Sequence, residues 1–388
     1  MSAAAILDPR TMLDAAEAAT GLSDYGDDTL DERLALAAAV LRDQAMDPDG
    51  ERAAAEVCHW LLTTRLELIE DRKRYPIGRE VIEKPIFVLG QARSGTTLLH
   101  ALLSVDPNAR ALRFWEVMYP SPPPGLAGAE DTRRARADED WREINAKLPG
   151  WLPIHPYNDM LGNGLPECER TWAMDFRVMT TTAWWRVPMP MITAGLPADS
   201  AAQYRLHKMM LQQFQYARQK KYWVLKGFHT DRLAEMFAAY PDARCIWVHR
   251  DPVQAIASKV VMSGQLNEML SGRCDWKVLG KTILNSSRAT YNSVLANPLL
   301  DDERIHHVRY SDFVKDQVGT IRGFYEEFAV PFTGETDQAM RDYLRDNRGD
   351  RYGKFTYSAD VIGEDIQKLH EEFAPYRNRF GVDIEKRD

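Results

Sequence analysis

From Gly90 to Thr97 the chain reads GQARSGTT, directly after the apolar run PIFVL. Two glycines with four residues between them, followed by two hydroxyl residues, have the spacing of a phosphate-binding loop. One position differs: Thr96 stands where a nucleotide triphosphatase carries the lysine that reaches the β- and γ-phosphates. The glycines permit a tight turn, and a helix opening near Gly95 points its unpaired N–H groups and positive dipole end at an anion. Ser94, Thr96 and Thr97 add hydroxyl donors, and Arg93 adds a fork that can clasp two anionic oxygens. Every group is a donor and no metal ligand is evident. That chemistry suits a phosphate or sulfate that reacts without magnesium.

A second group lies in IWVHRDPVQAIASKV. Arg250 follows a strand-like run, Asp251 is placed to cap the next helix, and Pro252 suits that helix's first turn. Ser258 comes about two helical turns after Arg250. The two are placed to converge on a second phosphate, although Arg250 read alone fits an ordinary surface ion pair equally well.

These groups need a scaffold, and the hydrophobic pattern supplies one. Up to about Arg79 the chain reads as helical, with Asp27 and Asp28 placed to cap the segment DDTLDERLALAAAVLRDQA. Strands are expected at Pro85–Gly90, Tyr222–Leu225, Cys245–His249 and in RIHHVRYSDF; their continuous apolar runs suit a parallel sheet covered on both faces. Strand, the amphipathic helix TDRLAEMFAAYP, then strand predicts a βαβ unit with the strands of Tyr222 and Cys245 paired in parallel. Between 119 and 205 the chain turns proline-rich, then charged, then dense in aromatics as far as TTTAWWRVPMPMI, which reads as an insertion covering the site. The organisation expected is a helical segment over residues 1–80 packed on an α/β domain over 81–388.

Composition narrows the function. The 388 residues carry 49 basic and 57 acidic side chains, a net charge of −8 that argues against a general nucleic-acid binder. The four cysteines form no C-x-x-C pair or zinc spacing, so reduced thiols in a cytoplasmic protein are expected and metal ligands are not. No signal peptide and no run long enough to span a membrane is expected.

Together, RSGTTLL and HRDPVQAIAS resemble the paired signatures of sulfotransferases that use 3′-phosphoadenosine 5′-phosphosulfate. The resemblance implies a P-loop-like three-layer α/β fold with a central parallel sheet. It implies that Gln91, Ala92, Arg93, Ser94, Gly95, Thr96 and Thr97 hold the 5′-phosphosulfate, and that Arg250 and Ser258 hold the 3′-phosphate. Lys226, in YWVLKGFHTDRLAEMFAAYPDARCIWVHRDP, occupies the place of the family's lysine at the leaving phosphate. VRYSDFVKD makes Tyr310 the tyrosine near adenine, and NRGDRYGKFTYS resembles the late loop that closes on the 3′-phosphate, through Arg348, Gly349 and Lys354. LRFWEVMYPSPPP and LPECERTW look most like a bacterial branch. Arg93 replaces the lysine of many members, and Leu98 replaces a frequent adenine-stacking aromatic. Arg93 and Lys226 are expected to stabilise the leaving side, and the general base is open between Glu116 and His229. His229 stands one place later than the family's Lys-x-His. 3′-Phosphoadenosine 5′-phosphate would be the product. The acceptor would be a hydroxyl or amine on an apolar alcohol, phenol, lipid or sugar, and a homodimer is left open. A P-loop nucleotide kinase and an inactive nucleotide-binding protein are the other readings.

Overall fold

The computed structural model describes residues 6–43, 46–177, 199–219 and 221–385. The run TTTAWWRVPMPMI, part of the insertion expected to cover the site, falls outside them. The chain divides into two units. One takes Met1–Ile82, Leu112–Lys147 and Met160–Lys220; the other takes Glu83–Ala111, Leu148–Asp159 and Lys221–Asp388.

The first unit is helical. Its opening segment forms Pro9–Thr20, Leu30–Arg42 and Pro48–Arg74. Asp8 and Asp47 cap the first and third of these, each accepting a first-turn N–H ahead of a proline that has none to offer. The caps expected of Asp27 and Asp28 are corrected. Thr29 flanks the second helix without a side-chain cap, while Asp27 accepts the Thr29 N–H and turns its other oxygen to Arg33 at 2.6 Å. Arg33 and Arg65 also share Asp175, at 2.9 and 3.3 Å, so buried cations and carboxylates tie these helices to one another. Such a network holds only while every member is paired.

The second unit holds the sheet. Its strands are β1 (Ile86–Gly90), β2 (Ala109–Ala111), β3 (Tyr222–Lys226), β4 (Arg244–His249) and β5 (Ile305–Arg309), in the order β2-β3-β1-β4-β5 and all parallel. Ile86, Val88, Val224, Ile246, Val248 and Val308 face Leu99, Leu102 and Leu103 of the helix Thr96–Ser104 together with Ile321 and Phe324 of Gln317–Glu327. The alternate residues Phe87, Leu225 and Trp247 are buried as well, so both faces are covered. The expected pairing of β3 with β4 is corrected: they are parallel, but β1 lies between them. The chain leaves β1 toward β2 and β3 on one side and reaches β4 on the other. The gap at the ends of β1 and β4 is therefore the switch point where α/β sheets bind ligands.

On β4 and β5 themselves begins a chain of neutral groups whose tautomers the hydrogen bonds dictate. Leu300 O can only accept, so His307 Nε2 carries its proton (2.9 Å); His307 Nδ1 then accepts from His249 Nε2 (2.8 Å), and His249 Nδ1 accepts from the Tyr376 hydroxyl (2.7 Å). Burial holds both imidazoles below their ordinary pKa. His207, buried in the helical unit, is pushed down by burial to about 3. The unfolded chain protonates such groups below about 6.5 and the folded chain does not, so the unfolded state binds more protons and stability is lost as the pH is lowered. We expect full stability above about pH 6.5 and a loss on the order of 2–4 kcal/mol by about pH 4, measured by urea unfolding across that range. His249→Phe should flatten part of the slope.

Candidate active site

The loop after β1 is folded on itself by Ser94, whose hydroxyl donates to Gln91 O at 2.6 Å. Ser94 thereby shapes the loop. Only glycine suits position 95: φ is +88°, and a Cβ would come within 2.9 Å of the Tyr310 ring. At Gly90 a Cβ would meet Ser94 Oγ at 2.7 Å. Arg93 itself sits at φ +70°, a strained setting for a non-glycine residue and one that collects at functional sites. The helix Thr96–Ser104 has no side-chain cap, as Leu233–Ala239 and Tyr310–Lys315 have none, whereas Asp251, Asp275 and Asp316 cap three later helices of the same unit. Its first-turn amides lie beside the buried Thr96 and the half-buried Thr97. Ala92 lies in the same turn.

Arg93, Arg250 and Ser258 come together. Arg93 Nε donates to Ser258 Oγ at 2.8 Å, and Arg93 O accepts from Arg250 Nη1 at 2.6 Å. Arg250, only 5% exposed, lies 4.4 Å from the centre of the Tyr310 ring. Its Nε and Nη2 donate to the two carboxylate oxygens of Glu385 at 2.7 and 2.8 Å. Asp251 caps the helix Pro252–Ser271 as the sequence predicts, through Val253 N–H, with Pro252 at its start.

On the other side of β1, Lys226 closes β3 and donates to Thr97 Oγ1 at 3.3 Å, while Gln91 Nε2 reaches Thr230 Oγ1 at 3.4 Å. The two base candidates differ in setting. His229 is fully buried, its ring edge-on to Phe87 at 4.9 Å in the core. Glu116, 2% exposed on the helix Phe114–Met118 of the first unit, accepts from Arg218 Nη1 at 3.0 Å. Among the described residues no group of His, Cys, Asp and Glu is arranged to hold a metal ion.

A strand, a glycine loop without the triphosphatase lysine, and an arginine-bearing helix entrance one strand away thus lie side by side. Residues 85–334, the span holding both, match the profile of the sulfotransferase family. This chain belongs to that family.

The sulfotransferase is 27% identical to sulfotransferase STF9 from Mycobacterium avium, whose crystal structure superposes with a TM-score of 0.82 over 97% of this chain and 98% of that one. Sulfotransferase STF1 from Mycobacterium tuberculosis H37Rv is 25% identical, with a TM-score of 0.74 over 94% of this chain and 98% of its own. Among curated proteins, omega-hydroxy-beta-dihydromenaquinone-9 sulfotransferase Stf3 of Mycobacterium bovis is 23% identical over 339 residues, 79% of this chain and 78% of that protein. The expected three-layer α/β fold of P-loop type is thus the fold of this enzyme.

The late loop of the sulfotransferase lies near the arginines through residues other than those expected to bind. Arg348, Gly349 and Lys354 are exposed, and Arg348 pairs with Asp350. The residues of this segment that reach the arginines are Phe355, whose ring centre lies 5.0 Å from the Arg93 guanidinium, and Tyr357, which accepts from Arg250 Nη2 at 3.1 Å. The segment is held by Arg351, which donates to Asp159 at 3.0 and 2.7 Å. The signal for both was their type: aromatics alternating in KFTYS just beyond a basic loop.

Proposed function

We propose that this sulfotransferase takes its sulfuryl group from 3′-phosphoadenosine 5′-phosphosulfate, binding the 5′-phosphosulfate on the loop Gln91–Thr97 and the 3′-phosphate on Arg250 and Ser258. The observation that carries the reading is the buried Arg250 fork, bonded to both oxygens of a carboxylate beside the uncapped loop helix. A guanidinium fork that takes a carboxylate in this way also fits two phosphate oxygens. A kinase has no use for a second anion site there. Tyr310, under Arg250 and against Gly95, is proposed to bound the adenine side.

The reaction is an in-line displacement: an acceptor oxygen forms a bond to sulfur while the bond from sulfur to the bridging phosphate oxygen breaks. Lys226 and the loop amides are proposed to take up the charge that collects on that oxygen. Arg93, drawn to Ser258, is assigned to steady the 3′-phosphate group and the loop through its strained backbone. The acceptor proton is assigned to Glu116, because His229 stands one place later than the family's Lys-x-His and its ring packs edge-on to Phe87. The acceptor proposed is an alcohol on an apolar molecule. This is in keeping with a relative whose name gives a hydroxylated menaquinone as its substrate. Among the described residues no helix is long and apolar enough to cross a membrane. A bacterial cytoplasmic setting is proposed, in keeping with the absence of disulfides among the described residues.

The test is calorimetric titration with 3′-phosphoadenosine 5′-phosphate in the presence of a chelator, and separately with ATP and Mg²⁺. Metal-independent binding of the bisphosphate at least about 100-fold tighter than ATP is expected, a gap of about 2.7 kcal/mol. Preference for Mg·ATP would overturn the donor assignment.

A further inference from the structure

The carboxylate on Arg250 comes from the chain's own tail, and its position is built. The helix Ala374–Phe380 is anchored where the Tyr376 hydroxyl meets His249 and Phe380 stacks on the same imidazole, centres 3.6 Å apart. Gly381, at φ +62°, ends the helix in a left-handed turn. Its N–H and that of Val382 (2.9 Å) both donate to Arg377 O. The chain is thereby sent back toward the start of the helix Pro252–Ser271. There the Glu385 N–H donates to Asp251 Oδ2 at 3.1 Å, and the Glu385 carboxylate takes the Arg250 fork. Asp251 thus serves both ends at once, capping its own helix with one oxygen and pinning the tail with the other.

A guanidinium this buried is costly to leave without an anion. The Arg250 fork, however, can bond only one bidentate partner at a time. We propose that Glu385 is an internal stand-in for the 3′-phosphate, holding Arg250 in the unliganded enzyme and leaving when the nucleotide arrives. The inference rests on the assignment of Arg250 to the 3′-phosphate. Its consequence is competition. Each binding event must break the Arg250–Glu385 pair, and each product release restores it, so the tail weakens nucleotide binding and speeds its departure. Nucleotides without a 3′-phosphate have no reason to displace the tail.

The experiment compares the wild type with Glu385→Gln, titrating 3′-phosphoadenosine 5′-phosphate and AMP. Expected is binding of the bisphosphate about tenfold tighter in the variant, carried by slower dissociation, with AMP affinity unchanged. Equal or weaker bisphosphate binding by the variant, with the wild type still binding, overturns the stand-in and leaves the donor assignment intact. Failure of both proteins to bind the bisphosphate overturns the donor assignment and the stand-in with it. Hydrogen exchange on the unmutated enzyme gives an independent reading. The Glu385 amide should exchange faster once the bisphosphate is added, and unchanged or slower exchange overturns the displacement.

Discussion

Arg250→Ala is expected to weaken binding of 3′-phosphoadenosine 5′-phosphate by about 100-fold or more and to leave AMP binding within about twofold of the wild type. The guanidinium is 5% exposed, backed by the Tyr310 ring and bonded to Arg93 O. Its contacts to an anion are therefore shielded from water and charge-assisted, worth about 1.5–3 kcal/mol each. Losing two such bonds accounts for the factor, since about 1.4 kcal/mol is tenfold. Arg250→Lys should fall between, because an ammonium is a point charge without the fork. The variant also releases Glu385, so a thermal melt must accompany the titration to separate a lost ligand from a loosened fold. Undiminished bisphosphate binding in a folded Arg250→Ala protein would remove the 3′-phosphate from this site.

Glu116→Gln is expected to lower kcat by about 10²–10³-fold with little change in nucleotide affinity, the range for loss of a general base. Glutamine has the shape of glutamate and keeps an oxygen for the Arg218 bond at 3.0 Å, so the helix Phe114–Met118 should hold. His229→Asn supplies the contrast. Its ring fills core space against Phe87, and its replacement should lower stability and leave kcat within a few-fold. Both are measured as bisphosphate formed from the sulfuryl donor with a hydroxylated prenyl quinone as acceptor. The reverse pattern, an active Glu116→Gln and an inactive but folded His229→Asn, would transfer the proton to the histidine.

The sheet was legible wherever a strand carries a continuous apolar run, as in IFVL and CIWV, and so was the helix that Asp251 caps. β2 was not: three residues, Ala109–Ala111, are too few to show a period. Nor was the insertion of β1 between β3 and β4, because adjacency in sequence says nothing of a strand laid down much earlier. The loop after β1 and the approach of Arg250 to it could be placed because the motifs are tied to short spacings. The turn-closing bond of Ser94 could not, because a hydroxyl that serves a ligand and one that closes a turn look alike in sequence. Phe355, Tyr357 and Glu385 reach Arg93 and Arg250 from more than a hundred residues away, and only the folded chain brings them there.

Lys226, the loop of Arg93, Arg250 and Tyr310 follow the ends of β3, β1, β4 and β5, four neighbours in one sheet. Backbone hydrogen bonding fixes the step between neighbours at about 4.8 Å, so the row from Lys226 to Tyr310 spans roughly 14 Å whatever the side chains are. The sheet is in this sense a ruler. Side-chain changes can alter how firmly each mark grips an anion, but the separation of the marks belongs to the backbone. Evolution or engineering can therefore trade acceptors on this enzyme far more readily than it can lengthen or shorten the donor.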